Sequence, residues 1–223
     1  MIRVNIIAEG QTESTFINEV LEPVLRPFNL WPRPCLIGRP GHKGGNVSRD
    51  RVRNDALRLL KGDESAYCTT MLDFFRLDAD FPGLPVPPNS TTAQKADIVQ
   101  KALYEDIANH LENHFRPDRF IPYIQMHEFE GLLFSDPAGF ARGLGSTELT
   151  QDLALIRAQF GSPEDINDGP ATAPSKRIDR LCPEYDKPIH GSLAAIEIGL
   201  DAIRRECPHF NEWVTRLEKL GSA

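Results

Sequence analysis

Residues 2–13 read IRVNIIAEGQTE, and this stretch decides the fold. Its apolar, β-branched positions predict a buried strand over residues 2–8. The strand runs directly into Glu9, and a helical pattern begins at Glu13. Two carboxylates therefore stand near the carboxyl end of one strand, which is where open α/β sheets bind their ligands. At 4 Å and an effective dielectric constant of ~20, two such charges repel by about 4 kcal/mol. A divalent cation is the usual compensation.

Acidic residues follow two later predicted strands in the same way. The three clusters are Glu9 with Glu13, Asp73 with Asp78 and Asp80, and Glu128 with Glu130. If the strands are parallel, all three clusters lie at one edge of the sheet. Oxygen ligands that converge there suit Mg²⁺ or Mn²⁺, which can activate a water and stabilise the leaving oxygen in phosphodiester cleavage. No Walker-type phosphate loop is present.

Each acidic residue also has a simpler explanation. Glu13 fits a favourable partner of a helix dipole, and Asp80 fits a turn before a proline and a glycine. Glu128 and Glu130 share a side on a strand but diverge on a helix, and we favour Glu128 as the ligand. His127 fits a ligand, a general acid or a buried neutral imidazole. Glu9 and Asp73 are harder to explain without a partner, because an acid at the end of a buried strand is costly.

The remaining pattern alternates strands and helices along 223 residues. Strands are predicted at 35–37, 67–72 and 120–125, and helices at 13–26, 52–62, 93–114, 192–206 and around Trp213. This order predicts an α/β fold with a mostly parallel sheet flanked by helices. We expect an α/β domain over residues 1–160 and a helical C-terminal extension over residues 161–223, packed on the same domain.

Composition limits the function classes. The formal net charge of −7 argues against a whole-surface grip on nucleic acid, although not against a local basic patch. Four cysteines without C-x-x-C spacing indicate reduced thiols and no zinc site. No apolar stretch reaches transmembrane length, and we expect a cytoplasmic protein with no membrane partner.

The densest positive run lies in the glycine-rich loop after the second predicted strand. It contains Arg39, His42 and Lys43, and Arg49 follows on the next helix. Glycines allow backbone amides to approach phosphate closely, and arginines pair with phosphate in a bidentate manner. The run indicates a contact with the backbone of nucleic acid. An exposed loop followed by an ordinary charged helix explains it equally well.

The motifs together resemble a bacterial TOPRIM-like family of unknown function, related to the TOPRIM domains of OLD-type nucleases. The resemblance spans nearly the whole chain through the motifs EGQTE, LDFFRLDADFPG, QMHEFEGLLFSDP, APSKRI, PEYDK and CPHFNEW. It implies a TOPRIM-like (Rossmann-like) fold and a metal-dependent nuclease. Members of the family are often encoded beside ATPases of the OLD/SMC type in defence loci, so it also implies such a partner.

The resemblance assigns roles to several residues. It implies that Glu9 transfers a proton or binds metal, and that the later acids bind Mg²⁺. It also implies a lysine near the scissile phosphate, for which Lys176 is the candidate, although an exposed surface lysine explains Lys176 equally well. The four-residue spacing of Glu9 and Glu13 is similar to the paired glutamates of OLD-type nucleases. Phe75 departs from the pattern, since it stands where the second acid of the TOPRIM Asp-x-Asp motif belongs. Asp78, Asp80 or Glu128 would then supply the missing oxygen.

The expected function is a Mg²⁺-dependent (or Mn²⁺-dependent) phosphoesterase, a nuclease of a bacterial defence system. Two alternatives stay open. The chain could be a non-catalytic or partner-activated binding subunit of a neighbouring ATPase, which the missing second acid and the negative charge favour. It could also hydrolyse nucleotides or other small phosphate esters.

Overall fold

The computed structural model describes residues 1–37, 47–111, 116–167, 169 and 172–221. The predicted phosphate contacts Arg39, His42 and Lys43 lie outside the described residues. Within the described ranges, no helix combines the length and the apolar character needed to cross a membrane.

The described residues form a five-stranded sheet whose paired strands all run parallel. The strands are β1 (Ile2–Ala8), β2 (Leu30–Leu36), β3 (Tyr67–Asp73), β4 (Phe120–Ile121) and β5 (Ile124–Gln125). Their order is β2-β1-β3-β4, and β5 continues along β3 beyond the end of β4. The parallel direction brings the carboxyl ends of β1, β3 and β5 to one edge, as the sequence predicted.

Helices surround this sheet. They are α1 (Gln11–Phe16), α2 (Glu22–Leu25), α3 (Arg49–Gly62), α4 (Thr92–His110), α5 (Glu130–Leu133), α6 (Pro137–Gly143), α7 (Thr150–Arg157), α8 (Pro174–Leu181), α9 (Ser192–Glu206) and α10 (Pro208–Gly221). A π-helical turn at Ile17–Leu21 joins α1 to α2, and another at Lys187–Gly191 precedes α9. The predicted α/β class, with a mostly parallel sheet and a helical C-terminal region, is confirmed.

The two faces of the sheet carry two separate hydrophobic cores. Alternate residues of β1 divide between them, because successive side chains of a strand point to opposite faces. Val4 and Ile6 join the core that contains side chains of α1, α9 and α10. Ile7 joins the core formed with α3 and α4. Since both faces are covered at its carboxyl end, β1 ends in a buried apolar run at residues 6–8.

The predicted strand over 120–125 is interrupted at Pro122 and Tyr123. Hydrogen bonds from β3 satisfy the backbone groups that the break leaves unpaired. The Thr70 hydroxyl donates to the Tyr123 carbonyl at 2.7 Å and accepts from the Tyr123 N–H at 2.9 Å. The break therefore leaves β5 aligned with the carboxyl end of β3, where Leu72 faces Ile124 and Asp73 faces Gln125.

Strand β2 is longer than the predicted segment 35–37, since it already begins at Leu30. Pro32 and Pro34 lie inside it. Proline is excluded from central strands because it cannot donate a ladder hydrogen bond, but an edge strand tolerates it. β2 pairs only with β1 in the described sheet, so the prolines are compatible with the strand.

The C-terminal helices pack directly on the α/β part. One core cluster contains Val4 of β1 together with Ile203 of α9 and Trp213 of α10. Helix α6 approaches α9 so closely that a Cβ on Gly143 would lie 2.2 Å from the Ala194 Cα. The segment between α8 and α9 is thereby held against the carboxyl edge of the sheet.

Candidate active site

A lysine from this segment lies among the acidic residues at the sheet edge. The Nζ atom of Lys187 lies 3.1 Å from Glu13 Oε1, 3.3 Å from Asp73 Oδ2 and 3.1 Å from Glu130 Oε2. These carboxylates come from the first turn of α1, the end of β3 and the start of α5. One amine thus joins three chain segments that are far apart in the sequence.

Glu9 completes the group from the end of β1. Its Oε1 accepts a hydrogen bond from the Asp73 backbone N–H at 2.5 Å, which ties β1 to β3 where both strands end. Its Oε2 lies 3.7 Å from Arg76 Nε. We call Glu9, Glu13, Asp73 and Glu130 the acidic cluster.

Burial sets the electrostatics of the acidic cluster. The side chains of Glu13, Asp73 and Glu130 are each at most 5% exposed. Burial and the neighbouring carboxylates raise the pKa of Asp73 well above its usual value, against the opposing effect of Lys187. Burial likewise raises the pKa of Glu130, and it raises the pKa of Glu9 to about 7 despite the hydrogen bond from Asp73. For these carboxyl groups, the effect of burial outweighs that of the nearby positive side chains, Lys187 and Arg76.

Two oxygens of the acidic cluster lack hydrogen bonds. Glu13 Oε1 and Glu130 Oε2 are buried and accept none, although both lie close to the Lys187 amine. The amine donates one well-directed bond, to Asp73. Both oxygens are ion-paired with the Lys187 amine, so a metal ion would bind them only in place of that amine.

The acidic cluster opens into a cavity of about 350 Å³. Arg51 of α3, Arg76 and Gln11 also line it, and Arg76 lies beside Glu9. Glu128 and Ser175 form another part of the wall: the Ser175 N–H and hydroxyl both donate to the Glu128 carboxylate, at 2.9 and 3.1 Å. The cavity thus places arginines beside a group of carboxylates, which suits an anion bound next to a metal ion.

The backbone at His127 decides which glutamate enters the acidic cluster. His127 has a φ of 66°, a left-handed conformation that is uncommon outside glycine. Its ring lies 5.1 Å from that of Phe75, and burial lowers its pKa to about 4. The chain turns here between β5 and α5, so Glu128 and Glu130 no longer share a side as they would on a strand. Glu130 faces Lys187, while Glu128 faces Ser175.

The structure brings three predicted site residues together, namely Glu9, Glu13 and Asp73. Glu128 lies on the cavity wall but bonds to Ser175. Asp80 does not line the cavity: its side chain is 68% exposed and lies 3.8 Å from Arg49, on the turn that follows β3.

Arg49 and Lys176 lie outside the cavity as well. Arg49 pairs with Asp50 at 3.4 Å on the first turn of α3. Lys176 is exposed and pairs with Asp179 at 3.0 Å, since α8 turns it away from its neighbour Ser175, which does reach the cavity.

Sequence reasoning assigned no role to Lys187 and preferred Glu128 to Glu130. The motif PEYDK contained the signal for Lys187, but nothing in its spacing connects it to Asp73, 114 residues away. The choice between the two glutamates depended on the backbone at His127, which has no sequence signature of its own.

The donor set fits a hard divalent ion, although the present arrangement is not a finished metal site. Carboxylate oxygens are the ligands that Mg²⁺ and Mn²⁺ prefer. Among the described side chains, no three acids, histidines or cysteines are spaced as metal ligands. The reason is geometric, since the Lys187 amine lies between the carboxylates at distances of 3.1–3.3 Å.

A comparison with known protein families shows which family this chain belongs to. Residues 8–218 match a family described as "Domain of unknown function (DUF4276)", and the chain belongs to that family. Neither the curated proteins nor the solved structures provide a match.

Proposed function

We propose that this member of the DUF4276 family is a Mg²⁺- or Mn²⁺-dependent phosphoesterase that cleaves phosphodiester bonds in nucleic acid. The observation that carries the proposal is the acidic cluster, in which four carboxylates from separate elements share one cavity with a single lysine amine. Two of its buried oxygens, Glu13 Oε1 and Glu130 Oε2, lie 3.1 Å from that amine and would bind a metal ion in its place.

The residues have distinct expected roles. Glu13, Asp73 and Glu130 would hold the ion, and Glu9 would bind it or transfer a proton at the reacting phosphate. A bound ion would activate water and stabilise the leaving oxygen. Arg51 and Arg76 would hold the phosphate, because guanidinium groups match phosphate geometry. The cavity walls orient the phosphodiester, so that chemistry occurs beside Glu9.

The choice of nucleic acid rests on resemblance to TOPRIM-like and OLD-type nucleases. The same resemblance supports a role in a bacterial defence system, with an ATPase of the OLD/SMC type as partner. The nucleic-acid substrate, the defence role and the ATPase partner are therefore parts of this proposal.

A direct assay tests the proposal. Plasmid DNA, single-stranded DNA, RNA and bis(p-nitrophenyl) phosphate are incubated with the protein in Mg²⁺, in Mn²⁺ and in EDTA. We expect cleavage of a polymer only with metal, and a loss of at least 100-fold, about 3 kcal/mol, in Glu9→Gln. Glu212→Gln, an exposed acid on α10, is the matched control and should cleave at the wild-type rate.

Three results would count against the proposal. Cleavage in EDTA, or equal cleavage by Glu9→Gln, contradicts the assigned chemistry. Turnover of the small ester without polymer cleavage indicates a small-molecule phosphohydrolase.

One observation favours a second candidate function, a non-catalytic or partner-activated subunit. The Lys187 amine already neutralises part of the acidic cluster without any metal. This function predicts weak Mn²⁺ binding in calorimetry, no cleavage by the isolated chain and a stable complex with an ATPase in a pull-down.

A further inference from the structure

Lys187 is held in place by its own short segment. Asp186 begins the π-helical turn, and its side chain accepts a hydrogen bond from the Ile189 N–H at 3.0 Å. Pro188 follows the lysine and restricts the backbone there. The cap and the proline restrict the backbone of the turn, while the lysine side chain, 31% exposed, reaches the acidic cluster along the cavity wall.

The Lys187 amine contacts all three buried carboxylates. A lysine ammonium has three N–H donors. Within the described structure it donates a hydrogen bond to Asp73 at 3.3 Å and forms ion pairs with Glu13 Oε1 and Glu130 Oε2 at 3.1 Å. No other described group bonds to these two oxygens, so they depend on this one amine. A group with a higher positive charge, at a shorter distance from these oxygens, would neutralise them better.

A divalent ion is such a group, and it cannot share these oxygens with the amine. Mg²⁺ binds oxygens at about 2.0–2.1 Å and keeps a strict octahedral geometry. The amine lies between the same three carboxylates, and two positive groups that close together repel each other. Metal and amine thus exclude each other at the centre of the acidic cluster.

We infer that Lys187 is a built-in counter-ion, which holds Glu13, Asp73 and Glu130 together in the metal-free protein and competes with the metal for them. This inference rests on the proposed function and adds a positioning residue to it. The amine leaves the centre when an ion binds, toward the cavity where its stem is already exposed. Lys187 therefore keeps the acidic cluster assembled and also weakens its affinity for metal.

Calorimetry with Mn²⁺ alone, combined with thermal unfolding, tests this inference on the full chain. Lys187→Met removes the charge and keeps the apolar stem. We expect it to bind Mn²⁺ at least tenfold more tightly than the wild type. We also expect a lower melting temperature without metal and a larger rise on adding Mn²⁺. Lys187→Arg keeps the charge and should bind Mn²⁺ within threefold of the wild type. Lys101→Met, on an exposed position of α4, is the control and should match the wild type in both measurements.

Each result of these measurements either supports or overturns the assignment of Lys187 as a counter-ion. Mn²⁺ binding by Lys187→Met that equals or falls below that of the wild type overturns the inference. A Lys187→Met protein that folds only with Mn²⁺ supports it, and one that stays unfolded with Mn²⁺ overturns it. Tighter Mn²⁺ binding without cleavage of any phosphodiester supports the counter-ion and rejects the proposed function instead. Absence of Mn²⁺ binding in both proteins rejects both.

Discussion

Two groups of buried carboxylates in this protein have opposite surroundings. Glu164 is 4% exposed, and both of its oxygens accept backbone hydrogen bonds at the start of α10, from His209 at 3.0 Å and from Phe210 at 2.9 Å. Glu13 and Glu130 are 3% exposed, yet each has a buried oxygen without any hydrogen bond. The same residue type is satisfied in one place and unsatisfied in the other.

The difference separates a structural acid from a functional one. Glu164 caps a 14-residue helix, whose first N–H groups need acceptors. Glu13 Oε1 and Glu130 Oε2 cap no helix, and the compensating positive charge beside them comes from Lys187. Burial alone therefore does not indicate a ligand site, but burial combined with missing donors does. This criterion favours Glu130 over Glu128 as a metal ligand.

Removal of the structural acid should have the largest effect on stability. We expect Glu164→Ala to lower the free energy of unfolding by about 3 kcal/mol, because two buried N–H groups of α10 lose their acceptor. Urea denaturation at pH 7 measures the change. Glu212→Ala, an exposed acid of the same helix, should change it by less than about 0.5 kcal/mol. Equal losses of unfolding free energy in the two variants would show that Glu164 does not stabilise the fold more than an exposed acid does.

The pH dependence should identify the same residue with a smaller effect. Burial raises the pKa of Glu164 to about 7, against the two backbone hydrogen bonds and with a further contribution from Asp165. Its pKa in the unfolded chain is near 4.5. Since the folded state holds the proton more tightly, its contribution to stability is complete below pH 4.5 and is lost as the pH rises through 7.

This loss amounts to about 2 kcal/mol between pH 5 and pH 7. Glu164→Gln cannot titrate, so its stability should fall by that much less than the wild type over this range. The comparison isolates Glu164, because Glu9, Asp73 and Glu130 titrate in both proteins. Parallel pH profiles from urea denaturation would show that the carboxyl is not buried as described.

The fold was predictable because its signals are local. The runs that form β1 and β3 end in Glu9 and Asp73, and parallel strands bring such ends together. β2 was predicted too short, at 35–37, whereas the strand covers Leu30–Leu36 and accommodates two prolines because it lies at an edge.

The candidate site was only partly predictable because its remaining parts depend on tertiary contacts. The turn that carries Lys187 packs against α1 and α9, and no motif spacing indicates this packing. Glu130 enters the cluster through the positive φ of His127. Glu128 and Glu130 would share a side only on a strand, and the strand has already ended at Gln125.

The two glutamates of this turn allow the comparison to be tested within one short segment. Glu128 resembles Glu164 in its hydrogen bonding, since the N–H and hydroxyl of Ser175 both donate to its carboxylate. Glu130 belongs with the unsatisfied acids. Calorimetry should therefore show that Glu130→Gln weakens Mn²⁺ binding by at least tenfold, about 1.4 kcal/mol. Glu128→Gln should weaken it by less than threefold, because its oxygens already have partners and because glutamine keeps one acceptor for Ser175. A reversed order would mean that Ser175 releases Glu128 to the ion, and hydrogen-bond satisfaction would then fail to distinguish structural from functional acids in this protein.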